Sequence, residues 1–286
     1  MKKEKLAEKV MEIIFFISAM MSVVAIATIC LFIFKNGVPF MMRYGVHEFI
    51  FGTSWAPGNL PSTYGIFPMI MGSLVITLGA LVIGVPLGIL TAVFLVYFCS
   101  EKLYKVLSPS VNIMASIPSV IYGFFGLQLL VPLVRRLGGN GMSVLTASIL
   151  LGIMIIPTII TLSEAALRSV PKVFYTGSIG LGATHERTIL KVILPAAKSG
   201  IISAVILGVG RAIGETMAVI LVAGNQPLLP RGLLKGVRTM TTNIVLEMAY
   251  ATGEHREALI ATSVVLFVMI LVINFVFTIV KRRGRS

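Results

Sequence analysis

The sequence predicts an all-α integral membrane protein with six transmembrane helices, and three observations carry that expectation. Of its 286 residues, 57% are hydrophobic, and the mean hydropathy of +0.98 is more than a soluble domain of packed layers can hide from water. Apolar windows of about 20 residues, the length that crosses a bilayer, recur along the chain. Lys and Arg collect in alternate loops, as an orientation signal does.

The windows lie at 11–34, 66–98, 111–134, 144–167, 200–223 and 258–280. The first follows a basic, partly acidic start (MKKEKLAEK). It has full crossing length and no small-residue cleavage site after it, so it reads as a retained helix. The second exceeds one straight crossing and carries Gly72, Gly79, Gly84, Pro86 and Gly88, which predicts a kinked helix with an interfacial entry segment. Pro118 with Gly123 and Gly126, and Pro157 with Gly152, fit either packing kinks or broken helices that aim backbone groups at a substrate. In the fifth window Gly208, Gly210 and Gly214 look superficially like a dinucleotide loop. Inside a span they read instead as packing residues, with Gly210 and Gly214 as a small-xxx-small face.

With the N-terminus inside, 15 Lys and Arg residues fall on the cytoplasmic pieces and 8 on the outer loops, with Arg211 in the membrane. That bias predicts cytoplasmic N- and C-termini in the cell inner membrane. The net charge of +13 is then mostly topological signal and attraction to anionic lipid, and no motif supports binding to nucleic acid. Cys30 and Cys99 sit at opposite ends of spans, so no disulfide is expected.

What the chain lacks narrows the function. There is no Asp, and His47, His185 and His255 fall in separate loops, so no segment gathers a metal site, a Ser/His/Asp triad or a carboxylate pair. No GxxxxGK[ST] is present. Neither a cofactor, a metal nor a catalytic residue is expected, and any ATP hydrolysis belongs on a separate chain.

Arg211 and Glu215 stand one helical turn apart within Gly200 to Gly224, a stretch otherwise apolar or small. A charge at mid-membrane costs roughly 2.5 to 3.5 kcal/mol even on the milder insertion scale, so the pair calls for a use. Two readings stand open: a substrate path, or an ion pair joining helices or subunits. Glu164 and Arg168 are spaced alike near the inner end of the fourth window and read as an interfacial structural pair.

The largest inner segment, 168–199, contains TGSIGLGATHERTILKVILPAAKS. Its mixed apolar and basic residues, punctuated by Gly182 and Pro195, predict short amphipathic helices at the membrane face. Gly182 followed at fixed spacing by Val192, Leu194 and Pro195 resembles the G-x9-I-x-L-P core by which bacterial ABC importer permeases dock on their ATPases. The opening Glu-Ala-Ala of that pattern is replaced by Thr176, Gly177 and Ser178. ASIPSVIYGFFGL, SIGLGAT and GRAIGETMAVILVAGN add to the likeness. Together these segments, from Trp55 to Asn225, resemble the PstC-type permease family of bacterial phosphate ABC importers.

The resemblance implies a six-span permease forming half of a path for inorganic phosphate. Its implied partners are a homologous PstA-type permease, two copies of an ATP-binding subunit, and an external phosphate-binding protein. It makes Arg211, Glu215 and Thr216 the expected substrate-path residues. Gly182, Thr184, Glu186, Val192, Leu194 and Pro195 become the expected coupling residues. A guanidinium suits an oxyanion because it grips two oxygens at once, and Glu215 is expected to hold it when no substrate is bound. One Arg does not separate phosphate from sulfate or molybdate. A self-sufficient channel or secondary carrier, which calls for inverted repeats and a titratable relay, and an adaptor that assembles without transporting remain the rivals.

Overall fold

The computed structural model describes residues 2–283, with the backbone alone described at 2–7, 280, 282 and 283. Arg285, one of the basic residues counted toward the orientation, lies outside them. Among the described residues five helices have the length and composition of membrane spans, and a bent pair makes a sixth.

Helix α1 (Lys2–Tyr44) runs well past the expected first window and stands at the edge of the protein. It touches the rest mainly through the last helix, α13 (Gly253–Arg283), where Phe34 meets Phe267 edge to face. Their exposed apolar faces are those of helices solvated by lipid.

The centre is built by α3 (Phe67–Val93) against α7 (Val144–Arg168). The expected kink in α3 is not what its glycines serve. The helix continues past Pro86 and through a π-turn to Phe98. Gly84 and Gly88 lie where an added Cβ would come within 2.6 Å of Ile155 and 2.7 Å of Ile159. Without a side chain at these positions the two backbones close up, the usual device where lipid gives no hydrophobic drive between helices. Ile76, Leu150, Leu151, Ile155, Ile159, Val219 and Val222 fill the core around them.

The third window is not one straight helix. Helix α4 (Glu101–Ser116) and α5 (Ser119–Phe125) meet at 96° across Ile117 and Pro118. Pro118 disfavours a helical conformation at the residue before it, and Ile117 has ψ 127°. A π-turn then carries α5 into α6 (Val131–Arg135).

Helix α8 (Lys172–Gly180) ends in a turn, and one continuous apolar helix follows from His185 to Gly214. It comprises α9 (His185–Thr188), a π-turn and α10 (Leu194–Gly214). Two expectations are corrected here. Pro195 does not bend the chain, because the wide turn at Ile189–Ile193 just before it absorbs the ring. Gly210 and Gly214 do not pack against this chain, since a Cβ there would meet nothing within 4 Å. Gly208 faces Ile159 instead, and at 100° per residue Gly210 and Gly214 point to the other side.

At the end away from the α8–α9 turn lie α2 (Val46–Phe51), a two-stranded hairpin of β1 (Trp55–Ala56) and β2 (Thr63–Tyr64), and α12 (Met240–Met248). Phe40, Phe49, Trp55, Tyr64, Met69 and Met240 bind these pieces into a second core.

Candidate functional site

The fifth window breaks where its charges are. Helix α10 ends at Gly214, Glu215 turns extended at ψ 132°, and α11 (Met217–Val222) starts again after Thr216. The break separates the expected pair. A turn-spaced Arg and Glu meet only if the helix continues between them, and here it does not. Among the described residues no ion pair joins Arg211 to Glu215.

Each finds a different partner. The Glu215 carboxylate accepts from the backbone N–H of Thr216 at 3.1 Å and of Ala218 at 3.2 Å, so it caps α11. Such a cap stabilises by about 0.5 to 2 kcal/mol. Thr216 donates its hydroxyl to the Gly214 carbonyl at 3.2 Å and so closes the break locally. Arg211 donates through Nη1 to the Thr158 hydroxyl at 3.0 Å, near the middle of α7. Its charge meets no carboxylate in this chain among the described residues. The half-buried Arg211, Glu215 and Thr216 are thus brought to one place, but as a lone cation beside a capped helix start.

Helix α12 closes on the same break from the far end. Thr239 and Thr242 form a capping box, Met240 N–H donates to Ser73 Oγ at 3.0 Å, and Thr241 donates to the Glu215 carbonyl at 3.1 Å. The other end of α12 carries a buried network that sequence reasoning missed. Glu247 accepts from Arg238 at 2.5 Å and from the indole N–H of Trp55 at 2.9 Å, and lies 2.7 Å from His255 Nε2. Arg238 also donates to Asn243 and to the Asn225 carbonyl, both at 2.9 Å. The available signal was a Glu closing a short apolar segment after Thr239, but its partners come from three separate stretches of chain.

The residues expected to couple to an ATPase gather at the opposite end. Gly182 takes φ +86°, with its N–H on Ile179 O and the next N–H on Ser178 O, a Schellman turn that only glycine adopts without strain. Thr184 caps α9 by accepting from Arg187 N–H at 3.3 Å, and Glu186 stands exposed in the first turn. Leu181 projects at the tip with 91% of its surface exposed. Val192 and Leu194 are half-buried beside this turn and Pro195 is exposed. His185, left aside in the sequence as an isolated histidine, ties the turn to the membrane helices. Its Nε2 lies 3.2 Å from the Tyr97 carbonyl and its Nδ1 2.8 Å from the Tyr175 hydroxyl.

A closely packed central helix pair, a broken charged span and a protruding turn between spans belong to a chain whose sequence matches a known family. The model of the binding-protein-dependent transport system inner membrane component covers residues 84–286. The chain belongs to that family. The permease is 37% identical over 270 residues to the probable ABC transporter permease protein YqgH of Bacillus subtilis, covering 92% of this chain and 86% of that one. It is 31% identical to the phosphate transport system permease protein PstC of Pasteurella multocida, over 84% of this chain and 82% of that protein. A probable PstC of Methanocaldococcus jannaschii shares 33% identity over 89% of this chain and 87% of its own.

Among solved structures, the permease resembles a bacterial ABC transporter involved in the import of the acidic polysaccharide alginate. That match has a TM-score of 0.62 at 17% identity, covering 94% of this chain and 96% of that one. An inward-facing MetNI methionine ABC transporter matches with a TM-score of 0.58 at 23% identity, over 77% and 94% of the two chains. At such identities these show the fold alone. The PstC-type resemblance read from the sequence is borne out by the relatives. The permease is a multi-pass membrane subunit of an ABC importer, a transport component and not an enzyme, and its family works with an ATP-binding subunit and a substrate-binding protein.

Proposed function

We propose that this permease forms the PstC-type half of the membrane path for inorganic phosphate, paired with a PstA-type chain and fed by an external phosphate-binding protein. The observation that carries the reading is Arg211: a guanidinium near the middle of the bundle, held by one hydroxyl, with no carboxylate against it among the described residues. A cation left uncompensated at that depth is costly. An oxyanion relieves the cost while accepting two donors at once. Glu215 serves by capping α11, which leaves Arg211 free for the anion and shapes the break beside it. The α8–α9 turn, with Gly182, Thr184 and Glu186 at its tip and Val192, Leu194 and Pro195 beside it, docks the ATPase at the cytoplasmic face. Both termini lie on that same side, as the distribution of Lys and Arg supports.

The test is radiolabelled phosphate uptake in cells lacking other phosphate importers, with membrane levels of the complex measured alongside. Arg211→Ala abolishes uptake at normal complex levels, and Arg211→Lys rescues little because an ammonium lacks the planar two-point grip. Wild-type uptake by Arg211→Ala refutes the role. Loss only in proportion to lost protein makes Arg211 a structural partner of another subunit. Uptake competed by sulfate or molybdate, and not by phosphate, moves the substrate to that oxyanion.

A further inference from the structure

An open groove of about 300 Å³ with a row of polar side chains set among apolar ones lies between α4 and α7 on the side of the bundle toward the α8–α9 turn. Helix α4 contributes Tyr104, Ser108 and Asn112, spaced four apart on one face, and α7 contributes Thr161, Glu164 and Arg168. Tyr104 and Glu164 join the two helices at one end, whereas Ser108, Asn112 and Thr161 make no bond across the groove. Asn112 and Ser108 make no side-chain hydrogen bond among the described residues, and Thr161 bonds back to its own helix at the Pro157 carbonyl. Polar side chains in membrane helices face a water-filled cavity, the bundle interior or one another, and those here that lack a partner line an open groove. A space of that size admits several waters and an oxyanion.

The groove begins one turn from Thr158, the residue that holds Arg211. From Thr158 to Arg168 is ten residues of α7, or about 15 Å of rise. Thr158, Thr161, Ala165 and Arg168 share one face of that helix. At its lower end Glu164 Oε1 takes Arg168 Nε at 2.9 Å and the Tyr104 hydroxyl at 2.7 Å, while the guanidinium lies 5.0 Å over the Tyr104 ring. This clamp uses the Nε edge of Arg168. Its two Nη groups make no hydrogen bond among the described residues.

We propose that the α4–α7 groove is the inward leg of the anion path and that Arg168 is a second, weaker phosphate contact at its mouth. The proposal rests on the reading of Arg211 as the first contact. Glu164 fixes the guanidinium from the side away from the anion, and its negative charge opposes a long stay. A strong site at Arg211 followed by a weak one beside a carboxylate favours release over capture. Thr161, Asn112 and Ser108 supply neutral hydrogen-bonding groups between the two.

The experiment uses the assembled transporter in membrane vesicles of both orientations, with Cys30→Ser and Cys99→Ser removing the native thiols. Thr161→Cys and Asn112→Cys are introduced singly and treated with a membrane-impermeant cationic thiol reagent, with and without inorganic phosphate. Reaction from the side of the α8–α9 turn is expected, slowed about threefold or more by saturating phosphate through occupancy of the groove. Adding Arg168→Ala removes that protection and lowers uptake about tenfold, with Arg168→Lys restoring part of both. Co-purification of the ATP-binding subunit and membrane levels of the complex stay normal in Arg168→Ala, which a folding defect does not allow. Cysteines that stay unreactive, or that react equally with and without phosphate, overturn the passage. If Arg211→Ala still loses uptake in that case, the first contact stands and the groove alone is rejected. If phosphate protects while Arg211→Ala imports normally, the groove stands and the first contact is rejected.

Discussion

Glu247→Ala tests whether the buried network at the far end of α12 holds the lid over the membrane break. The side chains of Glu247 and Arg238 are only 9% and 15% exposed, so removing the carboxylate strands a cation in a site already closed to solvent. Arg238 keeps Asn243 and the Asn225 carbonyl, both neutral. The Trp55 indole N–H loses its acceptor and His255 its carboxylate. Breaking a buried pair from one side costs about 3 to 5 kcal/mol. At about 2 °C or more per kcal/mol for a chain of this size, the melting temperature falls by about 6 °C or more. The assay is thermal stability of the detergent-purified complex, read by fluorescence size-exclusion with a tag on this chain. The double variant Arg238→Met with Glu247→Leu regains most of the loss, because neither charge is then left buried alone. A single-variant shift under about 2 °C, or a double variant worse than the sum of the singles, refutes the account.

Three further outcomes follow from the geometry. Glu215→Gln, which keeps an oxygen to accept the Thr216 and Ala218 N–H groups, retains more assembled complex on immunoblot than Glu215→Ala, which loses a cap of about 0.5 to 2 kcal/mol. Gly182→Ala strains the left-handed turn by about 1 kcal/mol even though nothing crowds the position, and Gly182→Trp also blocks close approach of the ATPase. ATPase co-purification and transport-linked hydrolysis should fall in the order Gly, Ala, Trp; equal values in all three remove the turn from coupling. His185→Ala cuts the link from the turn to Tyr97 and Tyr175, so hydrolysis persists with reduced phosphate uptake per ATP, and a wild-type ratio contradicts the link.

The membrane class, the number of long apolar segments and the permease family were legible in the sequence because they rest on local quantities. Hydropathy over 20 residues, basic residues between spans, and motifs such as GRAIGETMAV need no tertiary partner to be read. Gly182 was legible for the same reason: its role is a backbone conformation fixed by its own neighbours. Which groups pair was not legible. Arg211 and Glu215 are turn-spaced, yet the helix ends between them, so the carboxylate satisfies backbone N–H groups and the guanidinium reaches Thr158 on another helix. Glycines expected to bend α3 instead admit Ile155 and Ile159, a contact set by how closely α7 approaches. Glu247 gathers Trp55, Arg238 and His255 from stretches up to 192 residues away. Sequence periodicity reports the faces that a helix offers, whereas the partner that meets each face depends on where other helices cross, and only the assembled fold decides that.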